Sequence, residues 1–401
     1  MSQYRKSYSS RRPSSGGRPQ GNRRPQQARR GPKKENLHPS KYVKQANPRT
    51  EEEYTAEHTF ADFDVVSLLK ENIVRKGFET PSPIQDQIIP TGLQGRDVIG
   101  IANTGTGKTV AFALPVLNQL IKDKQSNALI ITPTRELAEQ VLDECKSLSS
   151  GGRVYWSLLI GGMPITKQFK DLARRPNLVI GTPGRIKDHI ERGTLKLEHF
   201  DMVVLDEVDR MLDMGFVTDV RTILSQIPSS RQSFFFSATM DTRVRTLIDE
   251  FSINPVEVSV KTGDTSDNVE QNVVMYGDID DKIEKLHEVL LADEVTKVLI
   301  FDETRRHVER LAKKLQDRGF NADSIHGGRS QGQRKRALSS FKTNDTLVLV
   351  ATDVAARGID VDGITHVINY ATPQSYSDYV HRIGRAGRAG KKGYALTFLE
   401  R

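Results

Sequence analysis

Eight consecutive residues, Ala102-Asn103-Thr104-Gly105-Thr106-Gly107-Lys108-Thr109, carry the densest chemistry in the 401-residue chain. An apolar run precedes them and reads as a strand; from Val110 the pattern turns to that of an apolar helix. In that setting Gly105 and Gly107 let backbone N–H groups wrap phosphate oxygens at a helix N-terminus. Lys108 then reaches the β and γ phosphates, Thr109 is placed to ligate Mg2+, and Thr104 and Thr106 lie in the same loop. A strict phosphate-loop pattern has Gly where this chain has Ala102. The second half of such a site is Asp206-Glu207, at the end of the apolar run 202–205. An acid there can hold Mg2+ through water, and the next carboxylate can orient an attacking water and accept its proton. By itself an Asp-Glu pair after a strand is as readily a helix N-cap with an acid in the first turn. Downstream of a phosphate loop in the same domain it gains weight.

Two carboxylates and a lysine meet only if a sheet brings their loops to one edge. Apolar runs at 97–101, 128–132, 177–181, 201–205 and 233–237 read as buried strands, separated by helical patterns and Gly/Pro/Asp punctuation. That alternation indicates parallel α/β units whose loops at the strand C-terminal ends carry the chemistry. The polar stretch 261–270 (KTGDTSDNVE) reads as an interdomain linker. A second series follows, with strands at 297–301, 322–326, 346–351, 365–370 and 393–398. The expected organisation is an N-terminal tail over 1–57, a first α/β domain over 58–260, a linker over 261–270 and a second α/β domain over 271–401.

Composition narrows the class. Charged residues make up 27% of the chain and hydrophobic ones 36%, and no apolar run approaches the roughly 18 residues that a membrane-spanning helix needs. One cysteine, Cys145, excludes an intramolecular disulfide and any multi-thiolate metal site, which fits a reducing compartment and a cytoplasmic location. The net charge of +8 is unevenly spread: residues 1–50 hold 14 Lys and Arg against one acid, Glu35, so the rest of the chain has 45 bases against 50 acids. The Arg/Pro/Ser/Gly/Gln-rich tail lacks the apolar area to offset its conformational entropy and is expected to be a disordered, RNA-attracting arm. The same composition describes an organelle transit peptide, although no amphipathic apolar stripe is visible.

With both halves of the nucleotide site quoted, the chain resembles the DEAD-box RNA helicases, a superfamily 2 group, over nearly all of residues 60–401. The family's form of the phosphate loop, AxxGxGKT, accommodates Ala102. Its upstream signature is present as Phe60, seventeen positions before Gly77, followed by GFETPSPIQ from Gly77 to Gln85. The resemblance implies that the Phe60 ring stacks on adenine and that the Gln85 amide, donor and acceptor at once, bonds the base edge and selects ATP over GTP. PTREL (133–137), Gly161-Gly162 and TPGR (182–185) look like first-domain RNA-backbone loops, which makes Pro133, Thr134, Arg135, Gly162, Thr182, Gly184 and Arg185 the implied RNA contacts. TPGR is also good turn chemistry. In the second domain HGGRSQGQR (326–334) keeps the spacing of Gln331 and Arg334, and ATDVAARGID (351–360) supplies an RNA-contacting Thr352 and a nucleotide-side Asp360. SAT (237–239) resembles the element that couples hydrolysis to domain closure, so Asp209, Ser237, Thr239, Arg357, His381 and Arg382 are implied coupling residues. HRIGRAGR (381–388) supplies Arg385 and Arg388, the expected arginine fingers, which join Lys108, Asp206 and Glu207 as the implied catalytic set. Motif II reads Asp-Glu-Val-Asp here, with Val208 where the family has Ala. The chain stops at Arg401 without the closing helix that many members have, which leaves the second domain's terminal edge open.

The resemblance therefore implies two tandem RecA-like domains forming an ATP- and Mg2+-dependent RNA helicase that opens short duplexes locally. Its partner is RNA, held mainly through sequence-independent backbone contacts, with ribosomal or RNA-decay proteins as candidate protein partners and no membrane. A DNA-acting superfamily 2 translocase and a non-catalytic RNA clamp are the rival readings.

Overall fold

A computed structural model describes residues 38–47, 54–103, 105–260, 268–356, 361–387 and 391–401. The first domain is built on β1 (Val98–Ile101), β2 (Ala128–Ile131), β3 (Trp156–Leu159), β4 (Leu178–Gly181), β5 (Met202–Leu205), β6 (Gln232–Ser237) and β7 (Val256–Ser259), in the order β3-β4-β2-β5-β6-β1-β7. The second is built on β8 (Val269–Tyr276), β9 (Val298–Phe301), β10 (Ala322–Ile325), β11 (Val348–Ala351), β12 (His366–Asn369) and β13 (Gly393–Glu400), in the order β10-β11-β9-β12-β13-β8. Every ladder within the two sheets is parallel. The continuous apolar runs explain this. A strand such as Ala-Leu-Ile-Ile, buried along its whole length, must be covered on both faces, and crossover helices do the covering. Successive residues accordingly enter opposite cores: Ile130, Ile180, Val204 and Phe234 pack on one side of the first sheet, and Leu129, Val179, Val203 and Phe235 on the other. Among the described residues no helix is long and apolar enough to cross a membrane.

Strand order fixes which loops are neighbours. Along the C-terminal edge of the first sheet come Gly161-Gly162 after β3, TPGR after β4, PTREL after β2, Asp206-Glu207 after β5, SAT after β6 and the phosphate loop after β1. The implied RNA loops thus occupy one half of the edge and the nucleotide loops the other, with PTREL and Asp206-Glu207 side by side at the boundary.

Two expectations need correcting. Part of the expected linker is sheet: β8 begins at Val269, which is fully buried and pairs with Gly393, while residues 261–267 lie outside the described residues. The polar composition of the stretch hid the buried Val269. The tail expected over 1–57 also contains ordered chain. Pro39–Tyr42 forms a short 3-10 helix capped by His38, and Tyr42 is 1% exposed, its ring edge-on to Tyr379 at 4.9 Å in the second-domain core. Lys44 and Gln271 exchange backbone hydrogen bonds of 3.0 and 2.8 Å. Farther on, Asp86 accepts from the Tyr54 hydroxyl at 2.6 Å and from the Glu57 N–H at 2.8 Å, so residues 38–47 dock on the second domain and 54–57 on the first. A single anchor per segment does what overall hydrophobicity could not. Residues 1–37 and 48–53 lie outside the described residues.

The Tyr42 hydroxyl is buried without a hydrogen-bond partner among the described residues, so the ring contributes through packing alone. Tyr42→Ala is expected to destabilise the second domain by about 3 kcal/mol, and Tyr42→Phe to leave it unchanged or slightly firmer. Urea melts of the two variants test this; equal midpoints for Tyr42→Ala and the parent would remove the anchor.

Candidate functional site

Gly107 takes a left-handed conformation (φ 91°) and caps the helix Lys108–Lys122. A Cβ at this position would collide with the Gln85 amide, so glycine is required both by the backbone and by the neighbour. Gln85, at 4% exposure, accepts from the Ser82 N–H at 2.9 Å and donates to the Gly107 carbonyl at 3.1 Å, while the Ser82 hydroxyl donates to the Thr106 carbonyl at 2.7 Å. The segment upstream of β1 therefore braces the phosphate loop from outside. Lys108 is buried and donates to the Ala102 carbonyl at 3.1 Å.

Across from it, Asp206 and Glu207 are both buried at the end of β5. Burial pushes the Asp206 carboxyl up to about 6, against the pull of Lys108 and with the push of Glu207, and its Oδ1 has no hydrogen-bond partner among the described residues. Burial acts upward on Glu207 too, but Arg210, Lys108, Arg385 and His381 outweigh it and hold its carboxyl below the usual range. Glu207 sits in the left-handed region (φ 57°), a conformation that costs a non-glycine residue about 1–2 kcal/mol. Its Oε2 is 3.0 Å from an Nη of Arg210, which is itself buried. Val208 is fully buried among Leu205, Met211 and other residues of the second core, so the extra methyls relative to alanine are packing. Asp209 is tied to β6: its N–H donates to the Ser237 hydroxyl at 3.3 Å, and its Oδ2 accepts from the Thr239 N–H and hydroxyl, both at 3.1 Å.

A cavity of about 560 Å3 opens above these groups, lined by Phe78, Gln85, Gly107, Lys108, Thr109, Asp206 and Glu207 of the first domain and by Lys342 and Arg385 of the second. This is within the range of small-ligand pockets. Phe60 does not line it. The Phe60 ring is 5% exposed and packs against Phe63 and Phe78 at centroid distances of 5.9 and 6.0 Å; the ring that reaches the cavity is Phe78, and Phe60 props it. A smaller adjoining cavity joins Lys108, Glu207, Asp209, Arg210 and Thr239 to His381. Arg382 behaves differently from its neighbours: it binds both carboxylate oxygens of Asp353 at 2.6 and 2.7 Å, Asn369 Oδ1 at 3.1 Å and the Ala371 carbonyl at 2.7 Å. Its donors are committed within the second domain. Thr104, Arg357, Asp360 and Arg388 lie outside the described residues.

The implied RNA loops cluster as the strand order requires. Gly161 and Gly162 lie against the Arg135 guanidinium, which a Cβ at Gly162 would strike. The Thr134 hydroxyl accepts from the Leu137 N–H and caps the helix Arg135–Leu148, with Pro133 immediately before it. Thr182 begins the helix Pro183–Glu191 without using its hydroxyl as a cap, a Cβ at Gly184 would meet open space, and Arg185 donates to the Met163 carbonyl at 3.3 Å. Facing them, Gln331 has a buried Oε1 without a partner among the described residues, and Thr352 follows β11. The domains meet here through Glu136 and Arg334, ion-paired at 2.7 Å with both side chains almost fully buried. Sequence reasoning quoted Glu136, Arg334 and Phe78 in their motifs without assigning them to the site, and passed over Arg210 altogether. Only the i, i+3 spacing of Glu207 and Arg210 at a helix start could have flagged Arg210.

Comparison with known proteins agrees with this layout. The DEAD/DEAH box helicase family model matches residues 82–247 and the helicase conserved C-terminal domain matches residues 281–390. The chain is 45% identical over 345 residues to the ATP-dependent RNA helicase CshA of Listeria monocytogenes, covering 85% of this chain and 66% of the relative. It is 44% identical over 345 residues to the DEAD-box ATP-dependent RNA helicase CshA of Bacillus subtilis, covering 85% and 69%. The chain thus spans about two thirds of the length of these relatives. Among solved structures, S. cerevisiae Dbp5 bound to RNA and ADP BeF3 superposes with a TM-score of 0.75 at 28% identity, covering 86% of this chain and 90% of that one.

Proposed function

Because the chain belongs to the DEAD-box ATP-dependent RNA helicases, we propose that it closes its two domains on ATP and a single RNA strand, opens short duplexes locally, and resets by hydrolysis. The observation that carries this reading is the shared cavity, where Lys108, Asp206 and Glu207 of the first domain face Arg385 of the second. A transferred phosphoryl group held there meets positive charge from both sides only when the domains are together. Gly105, Gly107 and the loop N–H groups cradle the phosphates, with Thr104 and Thr106 in the same loop; Phe78, propped by Phe60, is the ring available to the base, and Gln85 reaches it while bracing the loop. The desolvated Asp206 oxygen, without a partner among the described residues, and Thr109 line the same cavity and suit a divalent cation, so these two residues would hold Mg2+, which when bound neutralises phosphate charge. Glu207 orients water and takes its proton, with Arg210 fixing the carboxylate.

Asp209, Ser237 and Thr239 connect the hydrolytic loop to β6, and His381, Arg357 and Arg382 carry the change into the second domain, Arg382 by holding its frame. Asp360 and Arg388 complete the nucleotide side. Pro133, Thr134, Arg135, Gly162, Thr182, Gly184 and Arg185, with Gln331 and Thr352 opposite, grip one strand through its phosphates and so read no sequence. We assign 58–260 and 268–401 to the two domains and place the protein in the cytoplasm, with RNA-decay or ribosomal proteins as its protein partners. Comparing ATPase rates without nucleic acid, with RNA and with single-stranded DNA tests the reading. Equal stimulation by both nucleic acids would favour a DNA translocase, and no hydrolysis under any condition a non-catalytic clamp.

The basic segment 1–37 raises local RNA concentration without touching the transition state. Its deletion is expected to weaken RNA affinity while the maximal ATPase rate stays. The slope of log affinity against log salt should flatten by about 0.7 for each phosphate released. Identical slopes for full-length and truncated protein would remove RNA as the ligand of this segment.

A further inference from the structure

Five basic side chains, Lys124, Arg153, Arg174, Arg175 and Lys196, line one groove of the first domain, about 1050 Å3 in volume, with no acidic residue in its lining. All five are exposed, and none forms an ion pair or side-chain hydrogen bond among the described residues. Residues 51–401 carry more acids than bases, so five uncompensated cations in one hollow depart from the charge of the surface around them. Arg175 is held at φ 53°, a left-handed conformation that arginine adopts only against strain.

The groove is built from the segments entering β2, β3, β4 and β5, the opposite end of the sheet from the RNA loops. The two ends are joined along β3, the outermost strand, over about 13 Å. There Tyr155 is 64% exposed and Trp156 44%. A second hollow, whose lining holds Tyr155 and Trp156 and mixes bases with the acids Glu139, Asp143 and Asp171, runs from Met163, next to Gly162, to the groove. Lys146, ion-paired to Asp143 at 3.6 Å, rests 3.7 Å from the centre of the Trp156 ring, so that face already attracts a cation, whose place an incoming base would take.

We propose that single-stranded RNA flanking the segment gripped in the cleft continues along β3, its bases stacking on Tyr155 and Trp156 and its phosphates lying in the five-cation groove. Exposed aromatics interleaved with unpaired cations are the chemistry of sequence-tolerant single-strand binding. The inference rests on the RNA-helicase reading for its ligand but uses none of that reading's residues.

Trp156 is the only tryptophan in the chain, so its fluorescence reports this surface directly. Full-length protein is titrated with single-stranded RNA of about 30 and about 8 nucleotides, the shorter sized to fill the cleft alone. The long strand should quench the fluorescence and the short one should not. The triple variant Arg153→Ala/Arg175→Ala/Lys196→Ala should bind the long RNA about tenfold more weakly, with a salt slope smaller by about 2, and keep its affinity and ATPase stimulation with the short RNA. Tyr155→Ala should weaken the long RNA about fivefold or more through lost stacking. Absence of quenching, or equal loss for both RNA lengths, would overturn the proposal, as would quenching by a polyglutamate peptide with none by RNA, which would make the groove a protein-docking surface. Failure of any RNA to stimulate ATP hydrolysis in the parent would sink the helicase reading alone, because the titration decides the groove independently.

Discussion

Glu207→Gln is expected to lower RNA-stimulated ATP turnover by about a hundredfold or more while ATP and RNA still bind. The amide keeps the shape of the carboxylate and an oxygen for Arg210, 3.0 Å away, but no longer takes a proton. It also leaves the buried Arg210 without a counter-charge, and disrupting a buried pair lowers stability, so thermal melts must accompany the kinetics. Single-turnover hydrolysis at saturating ATP and RNA, in protein shown to be folded, separates the chemistry from binding. Turnover like the parent's would mean that another group takes the proton.

Arg385→Ala is expected to cost about a thousandfold in the same assay, at the lower end of what an arginine finger contributes. Arg385 is buried, lines the cavity with Lys108 and Glu207, and acts on the Glu207 carboxyl from the other domain. ATP binding to the open form should be nearly unaffected, since the first domain supplies the phosphate loop. Arg385→Lys should rescue little, because an ammonium lacks the planar fork that reaches two oxygens at once. A loss within a few-fold would assign the role to Arg388 or to no finger at all.

The candidate nucleotide half of the site was legible as far as the structure gathers Lys108, Asp206 and Glu207 at one cavity, because backbone-wrapping loops need particular residues at fixed positions, with a strand before and a helix after them. The central strands were legible for a related reason: strands buried on both faces must be apolar throughout. Edge strands escaped this logic. Trp156–Leu159 is half exposed and Val256–Ser259 alternates Val-Glu-Val-Ser, so neither reads as a core run. Phe60 illustrates a different limit, since a fixed offset identifies the ring that is needed without saying whether it touches the ligand or supports the ring that does. The docked segment 38–47 was hidden by its own composition, because one buried tyrosine among polar neighbours anchors a chain that average hydrophobicity assigns to disorder. Arg210 leaves only its i, i+3 spacing from Glu207 as a trace in the sequence; its weight shows in three dimensions, where burial removes water as an alternative partner.

The ion pair between Glu136 and Arg334 gives the junction a temperature dependence. Burial pushes the Glu136 carboxyl up and the Arg334 guanidinium down, each partly opposed by the other, so both charges bear a dehydration cost on closing and regain water on opening. Charged groups are hydrated less favourably as temperature rises, and the cost of burying this pair shrinks on warming. A seam closed by charge rather than hydrocarbon therefore tightens with heat and loosens with cold. Interdomain energy transfer in the ATP- and RNA-bound protein should show the closed fraction rising with temperature up to the onset of unfolding, and Glu136→Gln/Arg334→Met should flatten that rise. In the cold the same pair should part more readily, and the closed fraction should fall.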